Sequence, residues 1–250
     1  MKIAIFLDVD KTITRNNIQC DYSKALGCDT EYQGIEQQFQ NGEITSARFG
    51  ERLIELFASK NFTRKTAASF FDRVALDPDA NETLGLPVDV YLVSSGPSYY
   101  IDKLAEKYRI PQSNVLRSEY FFDEENGVVQ RCAAVDNARK HNFVAEKRKG
   151  YDVTIGVGDS PRYDTFISLC TVPFLTTHTD DHFFTPRLAT VNLLVNALRT
   201  VDLKNSGEAV DIETLSPLVL LRRLSIGSWV LICGAIAVIF SAGAYLRGLL

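Results

Sequence analysis

Cysteine and histidine are scarce in this 250-residue sequence, five and three respectively, and their placement excludes two common frameworks. Cys20, Cys28, Cys132, Cys170 and Cys233 are odd in number and widely spread, with no C-x-x-C among them. Neither a disulfide scaffold nor a zinc site is expected, and a reducing compartment is the simpler reading. His141, His178 and His182 form no ligand pattern with one another. Excess positive charge is missing too. With a formal net charge of −4, a pI near 5.5 and no long Lys/Arg run, the chain has no electrostatic footprint for nucleic acid. A leader peptide is not expected either, because the first apolar run begins just after Lys2. What the chain does have is 46% hydrophobic and 10% aromatic residues, enough core for one large domain or two small ones.

Ile3 to Leu7 is too short for a stable helix and rich in β-formers, which predicts a strand buried on both faces. Asp8 and Asp10 fall at its carboxyl end, where ligands bind in open α/β sheets. Strand alternation sends the two carboxylates to one side and Val9 to the other. Two like charges so close need a divalent cation, a shared proton, or both. Such a pair suits phosphoryl transfer, with Asp8 as the nucleophile that forms an aspartyl-phosphate and Asp10 as the proton donor to the leaving oxygen. Read without that chemistry, Asp8, Asp10 and Thr12 are turn and cap residues.

Two further strands end in polar loops. Val88 to Val93 runs into Ser94-Ser95-Gly96-Pro97, read as a turn able to meet a phosphate and followed by a helix from Tyr99 to Tyr108. Val153 to Val157 runs into Gly158-Asp159-Ser160-Pro161-Arg162-Tyr163-Asp164, where Asp159 and Asp164 suit an oxygen-loving cation held against Asp8. Between them, Asn126-Gly127 separates two short apolar runs in 120–133, a hairpin signal. A basic helix follows from Asp136 to Lys149, with Lys140 near its start and able to point to the catalytic edge. A short strand over Val172 to Leu175 and a helix over Pro186 to Leu198 complete this part.

Residues 17–84 hold no convincing buried strand and read as an inserted module of about four helices, placed to act as a lid. Residues 201–225 read as a polar linker. Ile226 to Leu246 is 21 residues without a charge, about 32 Å as a helix, which predicts a transmembrane helix. Trp229 and Tyr245 stand near its ends, and Arg222 and Arg223 before it against Arg247 after it place the catalytic part in the cytoplasm.

With these motifs in order, the sequence resembles haloacid dehalogenase (HAD) superfamily phosphatases over roughly residues 1–185, in D-V-D-K-T, Ser94, Lys140 and G-D-S-P-R-Y-D. The resemblance implies an α/β, Rossmann-like, doubly wound parallel sheet made of residues 1–16 and 85–200, with a helical cap at 17–84 after the first strand. It implies a magnesium-dependent phosphomonoester hydrolase in which Asp8 is the nucleophile, Asp10 the general acid and base, and Ser94 and Lys140 bind phosphate. Asp8, the Asp10 main-chain carbonyl and Asp159 would ligate Mg2+, supported by Asp164. Arg139 and Lys147 are substitutes for Lys140. The insertion is similar to the small cap of the phosphoserine phosphatase branch, where Arg52 matches the segment that carries a substrate arginine. Asn17 stands where that branch has a glutamate for the substrate amine, a departure that turns the expectation away from phosphoserine, and the expected membrane span raises lipid head groups and other membrane-associated phosphomonoesters as small phosphorylated substrates. A phosphotransferase or phosphomutase shares the covalent step, and a catalytically silent module recruited to a membrane is the reading from another class.

Overall fold

In the computed structural model the residues described are 1–176 and 188–206. Six strands form one sheet: β1 (Ile3–Leu7), β2 (Asp89–Pro97), β3 (Val115–Phe122), β4 (Val129–Ala133), β5 (Val153–Gly158) and β6 (Val172–Leu175). Their order is β4-β3-β2-β1-β5-β6, parallel except for the β3/β4 pair. The apolar run at the start of the chain is thus the central strand. Ala4 to Leu7 have no exposed surface, because each face of β1 meets its own core. Ile3, Ile5 and Leu7 pack with Ile101, Leu104, Val191 and Leu194, whereas Ala4 and Phe6 pack with Tyr91, Val144 and Phe166 on the other side. A strand covered twice cannot alternate apolar and polar residues, which is why its sequence reads as a continuous run.

Five helices separate β1 from β2: α1 (Ile18–Ala25), α2 (Asp29–Gln40), α3 (Ser46–Ser59), α4 (Arg64–Phe70) and α5 (Ala80–Leu84). Asn17, Thr45 and Thr63 cap α1, α3 and α4 by accepting N–H bonds two or three residues on. The insertion is pinched at its base. Arg15 N–H bonds the Ala75 carbonyl and Asp77 N–H bonds that of Ile13, so the outgoing and returning segments run side by side. The last helix belongs to the core side, since Thr83 Oγ1 donates to Asn192 Oδ1 of α8 (Leu188–Ser206) at 2.8 Å. The expected hairpin is present, with Gly127 at φ +70° and Asp123 Oδ1 accepting the N–H groups of Glu125 and Asn126. Helices α6 (Ser98–Lys107) and α7 (Asn137–Lys147) complete the layers.

Three expectations are corrected. Ser94 to Pro97 is not a turn: β2 continues through it, with a register shift against β3 between Val93 and Pro97. Strand β3 starts at Val115, before the expected hairpin, because its first half pairs in parallel with β2. Residues 201–206 are helix rather than linker, since no glycine or proline interrupts the sequence between Leu188 and Gly207. The expected membrane span at 226–246 lies outside the described residues, and among those described no helix is long and apolar enough to cross a membrane.

Candidate active site

The carboxyl ends of β1, β2 and β5 open into a cleft of about 620 Å3, roofed by α2 and α3. Asp8 stands at its floor, one residue beyond β1, with its N–H bonded to the Val157 carbonyl at 2.9 Å. After it the chain turns tightly: the N–H groups of Thr12, Ile13 and Thr14 all reach the Val9 carbonyl. Lys11 takes φ +59° within this turn, a left-handed conformation that costs a side-chain-bearing residue about 1–2 kcal/mol. The turn brings the Thr12 hydroxyl to within 3.4 Å of Asp8 Oδ2 and returns Asp10 to the cleft wall.

Lys140 projects from the first turn of α7, which Asp136 caps by accepting the Arg139 N–H at 2.8 Å. Its ammonium is buried and donates to Asp8 Oδ1 and Asp164 Oδ1, both at 2.8 Å. Arg139 instead reaches the Ala134 carbonyl, and Lys147 lies over the Phe143 ring, so of the three basic candidates Lys140 is the one beside Asp8. Asp164 is fixed from its other oxygen by the N–H groups of Asp159 and Ser160, each at 3.1 Å. Gly158 makes that closure possible, because a Cβ there would fall 2.6 Å from Asp164 Oδ2.

Burial raises the Asp8 carboxyl well above the ordinary carboxylate range, Asp164 adds to the effect, and Lys140 opposes it. Burial likewise moves Asp10 up to about 6 against an N–H bond from Ile18, and Asp159 up to about 6 with help from Asp164. Burial pulls the Lys140 ammonium down, but the two carboxylates outweigh it and hold the group above its usual value. The floor thus carries more negative charge than one lysine balances. Carboxylate oxygens of Asp8, Asp159 and Asp164 lie within 4.8 Å of one another, a hard-oxygen donor set that suits magnesium. Asp10 directs its carboxylate elsewhere, with Oδ1 accepting the Ile18 N–H at 2.6 Å.

Ser94 and Arg52 are not among the residues that line the cleft. Ser94 is fully buried and Ser95 takes the place on the cleft wall, because successive residues of a strand face opposite ways. The Ser94 Oγ, which accepts the Gly96 N–H at 2.8 Å, still stands beside Asp10, since a Cβ at Gly96 would meet Ser94 Oγ at 2.9 Å and Asp10 Oδ2 at 2.8 Å. The Arg52 guanidinium is taken by Gln38 Oε1 of α2. Asn17 does reach the cleft, although its side chain is used to cap α1. Sequence reading missed Glu36, Phe39 and Phe49 as cleft residues; the helical spacing of the two phenylalanines marked a buried face but not which end of it stays open. Arg162 and Tyr163 were legible as part of the acidic loop but carried no role.

No family model and no curated protein matches the chain. Solved structures do. A HAD family hydrolase from Salmonella enterica serovar Typhi superposes with a TM-score of 0.61 at 15% identity, over 72% of this chain and 63% of that one. The chain therefore spans less than two thirds of that hydrolase. A phosphoserine phosphatase described as a phospho-aspartyl intermediate analogue matches with a TM-score of 0.56 at 17% identity, over 70% of this chain and 85% of the other. A substrate-bound phosphoserine phosphatase complex gives 0.53 at 18%, with the same coverage of 70% and 85%. The six-stranded sheet with its helical insertion after β1 therefore has the fold of the HAD-type hydrolases.

Proposed function

We propose that this chain is a magnesium-dependent phosphomonoester hydrolase that works through an aspartyl-phosphate on Asp8. The observation that carries the reading is the contact of Asp8 Oδ1 with a buried lysine at the floor of a roofed cleft, 2.8 Å from Lys140 Nζ. In the first step Asp8 attacks phosphorus, the ester P–O bond breaks, and Asp10 gives its proton to the departing oxygen. In the second, water attacks phosphorus, Asp10 takes the water's proton, and the Asp8–phosphorus bond breaks to release phosphate. An acid near 6 exchanges protons in both directions at neutral pH, and that is where Asp10 stands. Lys140 holds Asp8 in its attacking orientation and offers positive charge to the phosphoryl oxygens.

Asp8, Asp159 and the Asp10 main-chain carbonyl would hold Mg2+, with Asp164 supporting the set. When bound it supplies charge neutralisation between the attacking carboxylate and the phosphoryl group. Ser94, one residue behind the wall, contributes by fixing the Gly96 backbone beside it. We place the catalytic part on the cytoplasmic side of a membrane, tethered through the uncharged stretch 226–246. The test is Asp8→Asn. It should abolish turnover while circular dichroism stays native, and quenching the wild type during turnover should leave a phosphoryl adduct on the Asp8 peptide. Retained turnover, or an adduct on another residue, overturns the mechanism.

A further inference from the structure

The cap side of the cleft is chemically unlike its floor. Among the described cleft residues that come from the insertion, Glu36 is the single charged one. Arg52 is turned to Gln38, so the cations that line the cleft, Lys11, Lys140 and Arg162, all come from the core side. What the wall offers instead is aromatic surface. Phe39 of α2 stacks on Phe49 of α3 with ring centroids 4.8 Å apart and planes at 29°. The other face of the junction is closed by Tyr163 of the acidic loop, stacked on Phe39 at 5.5 Å and 22°. All three rings line the cleft and all three remain partly exposed there.

The stack bridges cap and core, and polar contacts hold its register. Arg162 Nη1 donates to the Gln40 carbonyl at 2.7 Å, and the Tyr163 hydroxyl donates to Gln40 Oε1 at 3.2 Å. Gln40 is the residue after Phe39, so the same two contacts that tie the loop to α2 set Tyr163 against the Phe39 ring. Gly50 and Ala134 also line the wall and add no polar atom beyond the backbone, with the Cys132 thiol beside them, 3.4 Å from where a Cβ at Gly50 would stand. Offset rings present an apolar face that gains free energy when a second apolar group covers it, and a carboxylate or sugar hydroxyl placed there loses solvation without a partner.

We infer that the alcohol of the phosphomonoester is apolar, an aryl group or an alkyl chain, and that it lies along the Phe49–Phe39–Tyr163 stack while the phosphate sits over Asp8. This inference rests on the phosphomonoesterase reading for the position of the phosphate. Glu36 disfavours an alcohol that carries a carboxylate on the cap side. An ammonium is the competing partner for Glu36, and the test separates it.

Binding of non-hydrolysable phosphonates to the full chain in magnesium buffer is measured by calorimetry, so that the result does not depend on turnover. Phenylphosphonate should bind about tenfold more tightly than 2-aminoethylphosphonate, as expected for one good aromatic contact. Phe39→Ala should remove most of that advantage and leave 2-aminoethylphosphonate binding within about twofold. Phe49→Leu, which keeps the packing of α3 better, should reduce it in part. Dodecylphosphonate carried in phosphatidylcholine vesicles separates the sources: binding to both apolar probes points to a membrane-borne alcohol, binding to phenylphosphonate alone to a soluble one. Equal affinities for the aryl and amino compounds, or a folded Phe39→Ala protein that keeps the preference, overturn the inference. An aryl preference without hydrolysis of any ester leaves it standing and removes the hydrolase reading instead.

Discussion

The main-chain N–H of Ile18, the first residue of α1, donates to Asp10 Oδ1 at 2.6 Å. The donor belongs to the inserted helices and the acceptor to the loop after the central strand. The bond lowers the Asp10 pKa against the larger effect of burial, and the group settles at about 6. Since Oδ1 is engaged by the helix, Oδ2 is the oxygen left to carry the exchanging proton.

For Asp10→Asn, hydrolysis of unactivated alkyl phosphates should fall by about 10²–10⁴, the usual contribution of a positioned acid. An activated aryl ester should still phosphorylate Asp8, giving a burst of product close to one per enzyme followed by slow release. Stopped-flow detection of the leaving phenol checks this. Equal losses for both ester types, with no burst, would count against Asp10 as the acid.

Gly158→Ala tests the closure of the acidic loop. The added Cβ would stand 2.6 Å from both Cβ and Oδ2 of Asp164, and neither belongs to a flexible side-chain end. Asp164 must move, and with it the two N–H bonds from Asp159 and Ser160. Stability should drop by about 1–3 kcal/mol, and the apparent affinity for magnesium should weaken with it. Chemical denaturation and a magnesium titration of activity are the measurements, and an unchanged titration argues against a role for this loop in holding the ion.

Lys140→Met removes the cation that two buried carboxylates share. Leaving buried charge without its partner typically costs about 3–5 kcal/mol. The loss should be largest near neutral pH and smaller in mild acid, because without the lysine Asp8 is raised further and takes up a proton more readily. Urea unfolding at two pH values reads the difference. Arg139→Met, by contrast, should change stability little, since that guanidinium is exposed and reaches only a carbonyl.

Removal of every residue after Ser225 should release the protein from membranes and preserve hydrolysis of a soluble phosphomonoester. All the proposed site residues precede residue 165, and the uncharged stretch 226–246 has no Asp, Glu, Lys, Arg or His to lend to them. A tether acts on a membrane-borne substrate through local concentration, which truncation should abolish. Fractionation of both forms, with one soluble ester assayed on each, decides it. A truncated form that stays with membranes, or that folds without hydrolysing the ester, removes the tether from the proposal.

The acidic floor of the site was legible in the sequence because each of its carboxylates lies in a loop that follows a strand buried on both faces, and such strands announce themselves as unbroken apolar runs. Asp8, Asp159 and Asp164 are placed by that rule alone, and Lys140 by the N-terminal turn of a basic helix. The cap was less legible. Helical periodicity gives the buried face of α2 and α3 but not the rotation of one helix against the other, and that rotation turns Arg52 to Gln38 and Phe39 to the cleft. The placement of Ser94 and Ser95 was less legible for a different reason. A strand that continues through Ser-Ser-Gly-Pro alternates sides, so the hydroxyl that reaches the wall is decided by where the strand ends.

The floor of the site crowds carboxyl groups around a single buried lysine. Asp10 and Asp159 titrate at about 6 and Asp8 is raised well above the ordinary carboxylate value of 3.8, burial being the first cause in each. In the unfolded chain these groups release their protons near pH 4, so between there and about 6 the folded protein binds more protons than the unfolded one. Their contribution to stability is therefore greatest below the unfolded values and is lost as the pH rises through about 6. Lys140 does not disturb this window, because its raised value moves its own effect to strongly alkaline solution. A divalent cation takes over the compensating role of the protons and binds best once they have left. Added magnesium should accordingly raise the thermal midpoint of chelator-treated protein more at about pH 7.5 than at about pH 5, with the gain following ligand linkage in its concentration dependence. Thermal scans with increasing magnesium at the two pH values measure it. An equal shift at both, or none at the higher pH, would mean that the cluster of Asp8, Asp159 and Asp164 does not hold the ion.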